Sequence, residues 1–351
     1  MKKAKKIILL ILCSLLLLEI TGCGKSGAKT KLVLTTGFRK NEIFRIESMS
    51  CTLPEIMVYL TNAQNQYESV YGREIWETDL NGITLEESVK ETVLAQLAQI
   101  KTMNLLAREH GVSLDESEME TVAAAAADYY GELNEAERES MQVTEETIAN
   151  LYAEFAVANK VYEYIIRDIN PEISDDEART ITVQHILIKT YALDGTGKKI
   201  AYTESAKEDA RSRAEEVLKL ARQENADFEE LALAYSEGDG ITWSFGKGET
   251  EKNFEEAAFQ LEKGEISDII ETEYGYHIIK CISTFNREET DANKVQIIEK
   301  RKEEVFGQEY DAFVESLTRT LNEELWESVS FIENEEVNTR DFFDIYNKHF
   351  S

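Results

Sequence analysis

Apolar residues recur at helical spacing from Glu42 to Asp168, so this stretch is read as mostly helical. Val89, Val93, Leu97 and Ile100 share one stripe, with Thr84 and Glu87 ahead of it at capping-box spacing and Gly111 at its end. Ser113 and Glu116 repeat that spacing before an alanine-rich helix through Ala123 to Ala127. Thr144 opens a third helix with Ile148, Leu151, Phe155, Ala158 and Ile165 on one face. These stripes read as helix-packing core. The pattern breaks at Asn170-Pro171, a context that ends helices. Ser174 to Glu177 suggests a short helix leading into a strand over Ile181 to Lys189. Tyr191 to Ala201, with Gly195 and Gly197, reads as a long turn or an added hairpin. After Asn286 a charged helical pattern resumes, with Val295, Ile298, Val305, Phe313, Leu317 and Leu321 as its apolar positions.

The first residues bear on the compartment. Lys2, Lys3, Lys5 and Lys6 precede an apolar run, Ile7 to Leu18, that is short for a membrane span but suits a signal peptide. Ile20-Thr21-Gly22-Cys23 matches a bacterial lipobox, which implies cleavage before Cys23 and its thioether lipidation. Two acyl chains suffice for stable anchoring. Residues 24 to 31 are small and polar and read as a tether.

With 351 residues there is room for two or three domains. The formal charge is -30, and removing four lysines and Glu19 with residues 1 to 22 makes it -30 - 4 + 1 = -33. Such a field repels nucleic acid and anionic membrane surfaces and favours encounter with basic, unfolded secreted chains, although solvated acidic helix faces account for most of it. Cys13 leaves with the signal and Cys23 is modified, which leaves Cys51 and Cys281 as thiols in different expected domains. There is no CxxC and no Cys/His ligand cluster, so neither a redox motif nor a metal site is expected, and no cofactor is called for. Gly246-x-Gly248 lacks the strand-to-helix context of a phosphate loop. His110 stands at a helix end, where the dipole accounts for it. Lys198 and Lys199 read as a solvated turn.

The block Gly264 to Ile282, GEISDIIETEYGYHIIKCI, resembles the last quarter of a parvulin-type prolyl isomerase domain. VQHILIK, Val183 to Lys189, resembles the first parvulin strand. Between them a helix over Ala206 to Gln223, then DFEELALAYS (Asp227 to Ser236), FGKGE (Phe245 to Glu249) and NFEEAAFQLEKGE (Asn253 to Glu265), follow in the family's order. The resemblance covers residues 180 to 286. It implies an α+β fold in which a small antiparallel sheet with surrounding helices is inserted into a mostly helical chaperone domain. That plan resembles extracytoplasmic foldase lipoproteins of the PrsA type, with a SurA-like N-terminal region. The expected layout is a signal peptide at 1–22, a lipidated tether at 23–41, a helical domain at 42–172, the isomerase domain at 178–286, expected to fold alone, and a C-terminal helical segment at 287–351. In that last segment Val295 to Leu321 is expected to pack on the N-terminal helices and leave an open apolar groove.

The resemblance also implies a site. His185 and His277 match the two adjacent strand histidines under the pocket floor. Strand alternation puts His185 on the face of Val183 and Leu187, and His277 on that of Ile279. Thr272 matches a hydroxyl that hydrogen-bonds the pair, Phe254 the aromatic that packs on the proline ring, and Phe259 a second pocket aromatic. The family's cysteine or aspartate position falls at Gly238 or Asp239. Thr242 stands where a pocket leucine is expected and Thr250 where methionine is common. Both make the pocket more polar, and polar groups lose hydration without gaining partners when an apolar ring enters, which points to weak activity. Two readings stand: a membrane-anchored prolyl isomerase and foldase for exported polypeptides, or a holdase that grips unfolded secreted chains with a weak or silent isomerase domain. Clients and oligomeric state are not encoded in any motif.

Overall fold

The computed structural model describes residues 37–170 and 172–351, so the expected signal peptide, Cys23, most of the tether and Pro171 lie outside the described residues. The fold is α+β, in two compact units. One joins the chain up to Asp168 to Val305–Ser351, and the other is Ile169–Glu304.

The first unit opens on an antiparallel hairpin, β1 (Glu42–Ile46) and β2 (Met49–Thr52). Five helices follow: α1 (Leu53–Tyr71), α2 (Leu85–Glu109), α3 (Glu116–Glu132), α4 (Glu135–Met141) and α5 (Glu145–Ile166). The box at Thr84 and Glu87 forms as the spacing predicts: Thr84 N–H donates to Glu87 Oε2 at 2.8 Å and Glu87 N–H to Thr84 Oγ1 at 3.2 Å. The next box does not fall on Ser113 and Glu116. It is built by Asp115 and Glu118, whose N–H groups and carboxylates pair at 2.7 and 2.9 Å. A carboxylate at the N-cap satisfies an orphan N–H and also meets the positive end of the helix dipole. The stripe Val89, Val93, Leu97 and Ile100 is buried, as are Ile148, Leu151, Phe155 and Ala158. Among them one cation is buried: Lys101 Nζ lies 2.5 Å from Glu55 Oε1 and 2.7 Å from Glu154 Oε2, tying α2 to α1 and α5.

In the second unit, residues 174–177 form a single turn instead of the expected short helix. Ala178 N–H donates to Ser174 O at 3.1 Å and Glu177 N–H to Ser174 Oγ at 3.0 Å. The acidic side chains here are drawn outward, Asp175 to Lys294 and Glu177 to Arg301, and β3 claims the backbone three residues further on. After β3 (Ile181–Lys189), the segment left open between turn and hairpin is a hairpin, β4 (Tyr191–Leu193) with β5 (Lys199–Ala201). Then come α6 (Glu204–Ala221), α7 (Phe228–Tyr235), β6 (Thr242–Phe245), α8 (Lys252–Gln260), β7 (Ile270–Thr272) and β8 (Gly275–Ser283). The antiparallel sheet runs β6-β3-β8-β7. One face of it, Ile186, Ile188, Tyr276 and Ile278, packs on α6 and α7; the other, Ile181, Val183, Phe245 and Ile279, packs on Phe254 and Ala258 of α8. Gly275 must be glycine: its φ is +140° and a Cβ would meet the Ile188 carbonyl oxygen at 2.1 Å.

The chain leaves through α9 (Arg287–Glu315), then β9 (Arg319–Leu321), α10 (Glu323–Glu327) and α11 (Phe342–Phe350). The division between the units falls inside α9, between Glu304 and Val305. Of the apolar positions expected there, Val295 and Val305 are exposed, and the stripe that enters the first unit's core is Phe306, with Phe313 and Leu317 partly buried beside it. β9 pairs with β1, and α11 inserts Phe342 between the rings of Tyr59, Tyr129 and Tyr152.

Candidate active site

Strands β3 and β8 run antiparallel with His185 opposite Ile279 and Leu187 opposite His277. Cross-strand partners point to the same side of a sheet, so both histidines stand on the α8 face, diagonal to each other. Their Nδ1 atoms are 3.5 Å apart and their rings lie 5.7 Å apart at 20°. Thr272, at the end of β7, places Oγ1 2.9 Å from His277 Nε2, and the same oxygen accepts from Tyr274 N–H at 3.1 Å. Burial, with His185 adding to it, pushes the His277 pKa down to about 3; burial alone lowers that of His185. Both rings are therefore neutral near pH 7.

Phe254 on α8 closes this face from the side. Its ring lies 5.6 Å from His185 and 5.1 Å from His277, edge-on to both. The structure thus brings His185, His277, Thr272 and Phe254 together. Phe259 is not among them: its ring packs on Phe245 at 5.9 Å and under the Arg179 guanidinium at 5.0 Å. Of the loop pair Gly238 and Asp239, Gly238 packs over Leu187, whereas Asp239 is exposed. Thr250 turns its hydroxyl oxygen into the protein without a hydrogen-bond partner.

The assignment of Thr242 to the pocket is corrected by the register. Thr242 lies opposite Gln184, whose side chain reaches Glu229 on α7, so it belongs to the face turned away from the histidines. On β6 the residues on the histidine face are Phe245 and Trp243; Trp243, opposite Val183, has its ring 6.3 Å from His185 and 5.9 Å from Phe254. A signal for Trp243 was present in the chain, since it stands two residues before the inward Phe245 on one strand. Tyr274, whose backbone fixes Thr272, carried no comparable signal.

Cys51 and Cys281 are buried free thiols, one in each unit, with pKa values raised by burial. Among the described residues no group of three or more His, Cys, Asp or Glu side chains could hold a metal ion. No helix among them is long and apolar enough to cross a membrane.

The family model of the rotamase, or PPIC-type PPIase, domain matches residues 185–283. Foldase protein PrsA of Caldanaerobacter subterraneus subsp. tengcongensis is 26% identical over 274 residues, 76% of this chain and 82% of its own length. Foldase protein PrsA of Clostridium botulinum is 25% identical over 96% of this chain and 99% of its own. That of Staphylococcus aureus reaches 34% identity, over 33% of this chain and 36% of its own. A crystal structure of peptidylprolyl isomerase PrsA from Bacillus cereus superposes with a TM-score of 0.37 at 19% identity, covering 77% of this chain and 97% of that one.

Proposed function

This chain carries a parvulin-type peptidyl-prolyl cis-trans isomerase domain and is PrsA-like, and from that premise we propose that it is a membrane-anchored isomerase and foldase acting on exported polypeptides. The observation that carries the reading is the neutral pair His185 and His277, set with Thr272 beside apolar rings. Rotation about X-Pro needs no covalent bond. It needs the planar, charge-separated amide to lose the water that stabilises it, against a barrier of about 18–20 kcal/mol.

Thr272 Oγ1 lies 2.9 Å from His277 Nε2 while it accepts from Tyr274 N–H at 3.1 Å and reaches Gly275 O at 3.5 Å, so the hydroxyl can satisfy either tautomer of His277. His277 Nδ1 lies 3.5 Å from His185 Nδ1, and the pair presents uncharged polar ring atoms to a twisting amide without any proton transfer.

Anchoring rests on the Lys-rich start, the apolar run and the Ile20-Thr21-Gly22-Cys23 box. Cys23→Ala should release the protein from membranes or leave its precursor uncut; an unlipidated Cys23 in membrane-fraction protein, read by mass spectrometry, refutes the anchor. For the site, the full mature chain should accelerate cis-to-trans conversion of a proline tetrapeptide in a protease-coupled assay. No acceleration at any enzyme concentration would rule out the isomerase.

One observation favours the holdase reading as a second activity. The first unit has a groove of about 220 Å³ whose floor is mostly apolar, with Phe44, Ile46, Leu94, Ala98 and Leu321 lining it beside Arg45, Arg319 and Thr320. Suppression of aggregation by a chain whose isomerase site is disabled would support that activity.

A further inference from the structure

On the side of the second unit's sheet turned away from the histidines, α6 and α7 leave a pocket of about 370 Å³ against the end of β3. That volume falls within the range of roughly 300–1,000 Å³ common to ligand pockets. Its apolar lining is Ile188, Val217, Leu220 and Ala234, and its polar lining is Arg213, Glu216, Tyr235, Ser236 and Glu237. Bonds to β3 fix one wall: Leu187 N–H donates to Ser236 Oγ at 3.2 Å, Glu237 N–H to Leu187 O at 2.8 Å and Lys189 N–H to Glu237 Oε2 at 2.7 Å. The recess is therefore preformed. Its charges are not balanced. Arg213 is held by Glu237 at 2.7 Å and Glu215 by Arg211 at 3.4 Å, whereas Glu216 has no ion-pair partner among the described residues. A solvated carboxylate on a helix is ordinary by itself. This one borders an apolar recess whose one lining cation, Arg213, is already neutralised.

We propose that this pocket is a second client site on the isomerase domain, one that takes an aliphatic side chain of an exported polypeptide with a lysine or arginine next to it. This rests on the foldase reading. Ile188, Val217, Leu220 and Ala234 give the aliphatic group a surface that removes it from water, and Glu216 gives the neighbouring cation a counter-ion. An acidic segment is repelled twice, by Glu216 and by a chain whose formal charge is -30. No proline is required. The two sites lie on opposite sides of the sheet, so filling one leaves the other open.

The test uses the full mature chain and fluorescence anisotropy of a labelled, proline-free peptide that alternates leucine and lysine, with a leucine–glutamate peptide as its counterpart. Ala234→Trp, which fills the recess, and Glu216→Lys, which reverses its charge, should each weaken binding of the leucine–lysine peptide by about tenfold or more. The leucine–glutamate peptide should bind the parent at least about tenfold more weakly. Ala234 and Glu216 are exposed, so both variants should melt like the parent and accelerate a proline tetrapeptide as the parent does. A saturating proline tetrapeptide should not displace the probe. Unchanged affinity in Ala234→Trp overturns the proposal and moves the probe to another surface such as the first unit's groove. Displacement by the proline tetrapeptide overturns it too, by moving the probe to the histidine face, and equal binding of the two peptides removes the role given to Glu216. If the parent ignores the leucine–lysine peptide yet accelerates the proline tetrapeptide, the second site fails and the isomerase reading stands; binding lost in Ala234→Trp without any acceleration by the parent gives the reverse.

Discussion

At the scale of single residues, burial decides what each site group can do. His277 titrates near 6.5 when the chain is unfolded and at about 3 when folded. Between those values the unfolded state binds more protons, so stability falls as pH drops from about 6.5 toward 3 and is fully present above 6.5. The loss from this one group is about 2 kcal/mol at pH 5. Urea midpoints measured from pH 7 to 4 should decline less steeply in His277→Gln than in the parent, and parallel declines would mean that the ring is hydrated. Phe254 also changes meaning: at 3% exposure, Phe254→Ala is a core deletion worth about 3–5 kcal/mol, so lost activity in that variant reports lost packing as much as lost substrate contact. Thr250 is the converse case. Its hydroxyl is buried without a partner, and Thr250→Val should raise stability by about 1 kcal/mol, read as a higher melting temperature of the second unit.

At the scale of elements, the helices of the first unit meet around a buried cation. Burial opposes the charge on Lys101, but Glu154 and Glu55 outweigh it and hold its pKa above the ordinary lysine value. Burial raises the Glu154 pKa, with Lys101 working against that. Removing the ammonium strands two carboxylates among apolar neighbours. Lys101→Met should therefore destabilise the first unit by about 3–5 kcal/mol in denaturant unfolding. A cost under about 1 kcal/mol would show that Glu154 is protonated in the variant or reached by water. The helix boundaries follow the same electrostatics: α3 starts at Asp115 because a carboxylate suits that position better than the Ser113 hydroxyl.

At the scale of the whole molecule, α9 belongs to both units, and this changes where the chain can be divided. Residues 178–286 were expected to fold alone. In the structure Thr290, fully buried, accepts the Thr180 N–H at 3.1 Å, and Asn293 donates to Ala178 O at 3.1 Å. Ending the chain after Asn286 removes these bonds along with the partners of Asp175 and Glu177. That truncation should lower the melting temperature of the second unit as well as unfold the first, whereas ending after Glu304 should spare the second. Calorimetry of the two truncations decides it; an unshifted second-unit transition after Asn286 would show that the α9 contacts contribute nothing. The first unit fails in both because β9 pairs with β1 and Phe342 fills the space between Tyr129 and Tyr152.

The chain by itself determined whatever depends on local period and spacing. Helical stripes such as Val89 to Ile100, the Thr84 and Glu87 box, the strands bearing His185 and His277, and the order of the isomerase motifs are all written as short-range patterns. Tertiary structure decided what depends on register and burial. Thr242 and Trp243 are neighbours in sequence, and only the pairing of β6 with β3 says which of them faces the histidines. Phe254 and Trp243 are both aromatic, and only the packing of α8 says which keeps an open face. Pattern records which residues share a side of one element. It does not record which element covers that side, because covering is settled by the summed packing of segments far apart in the chain.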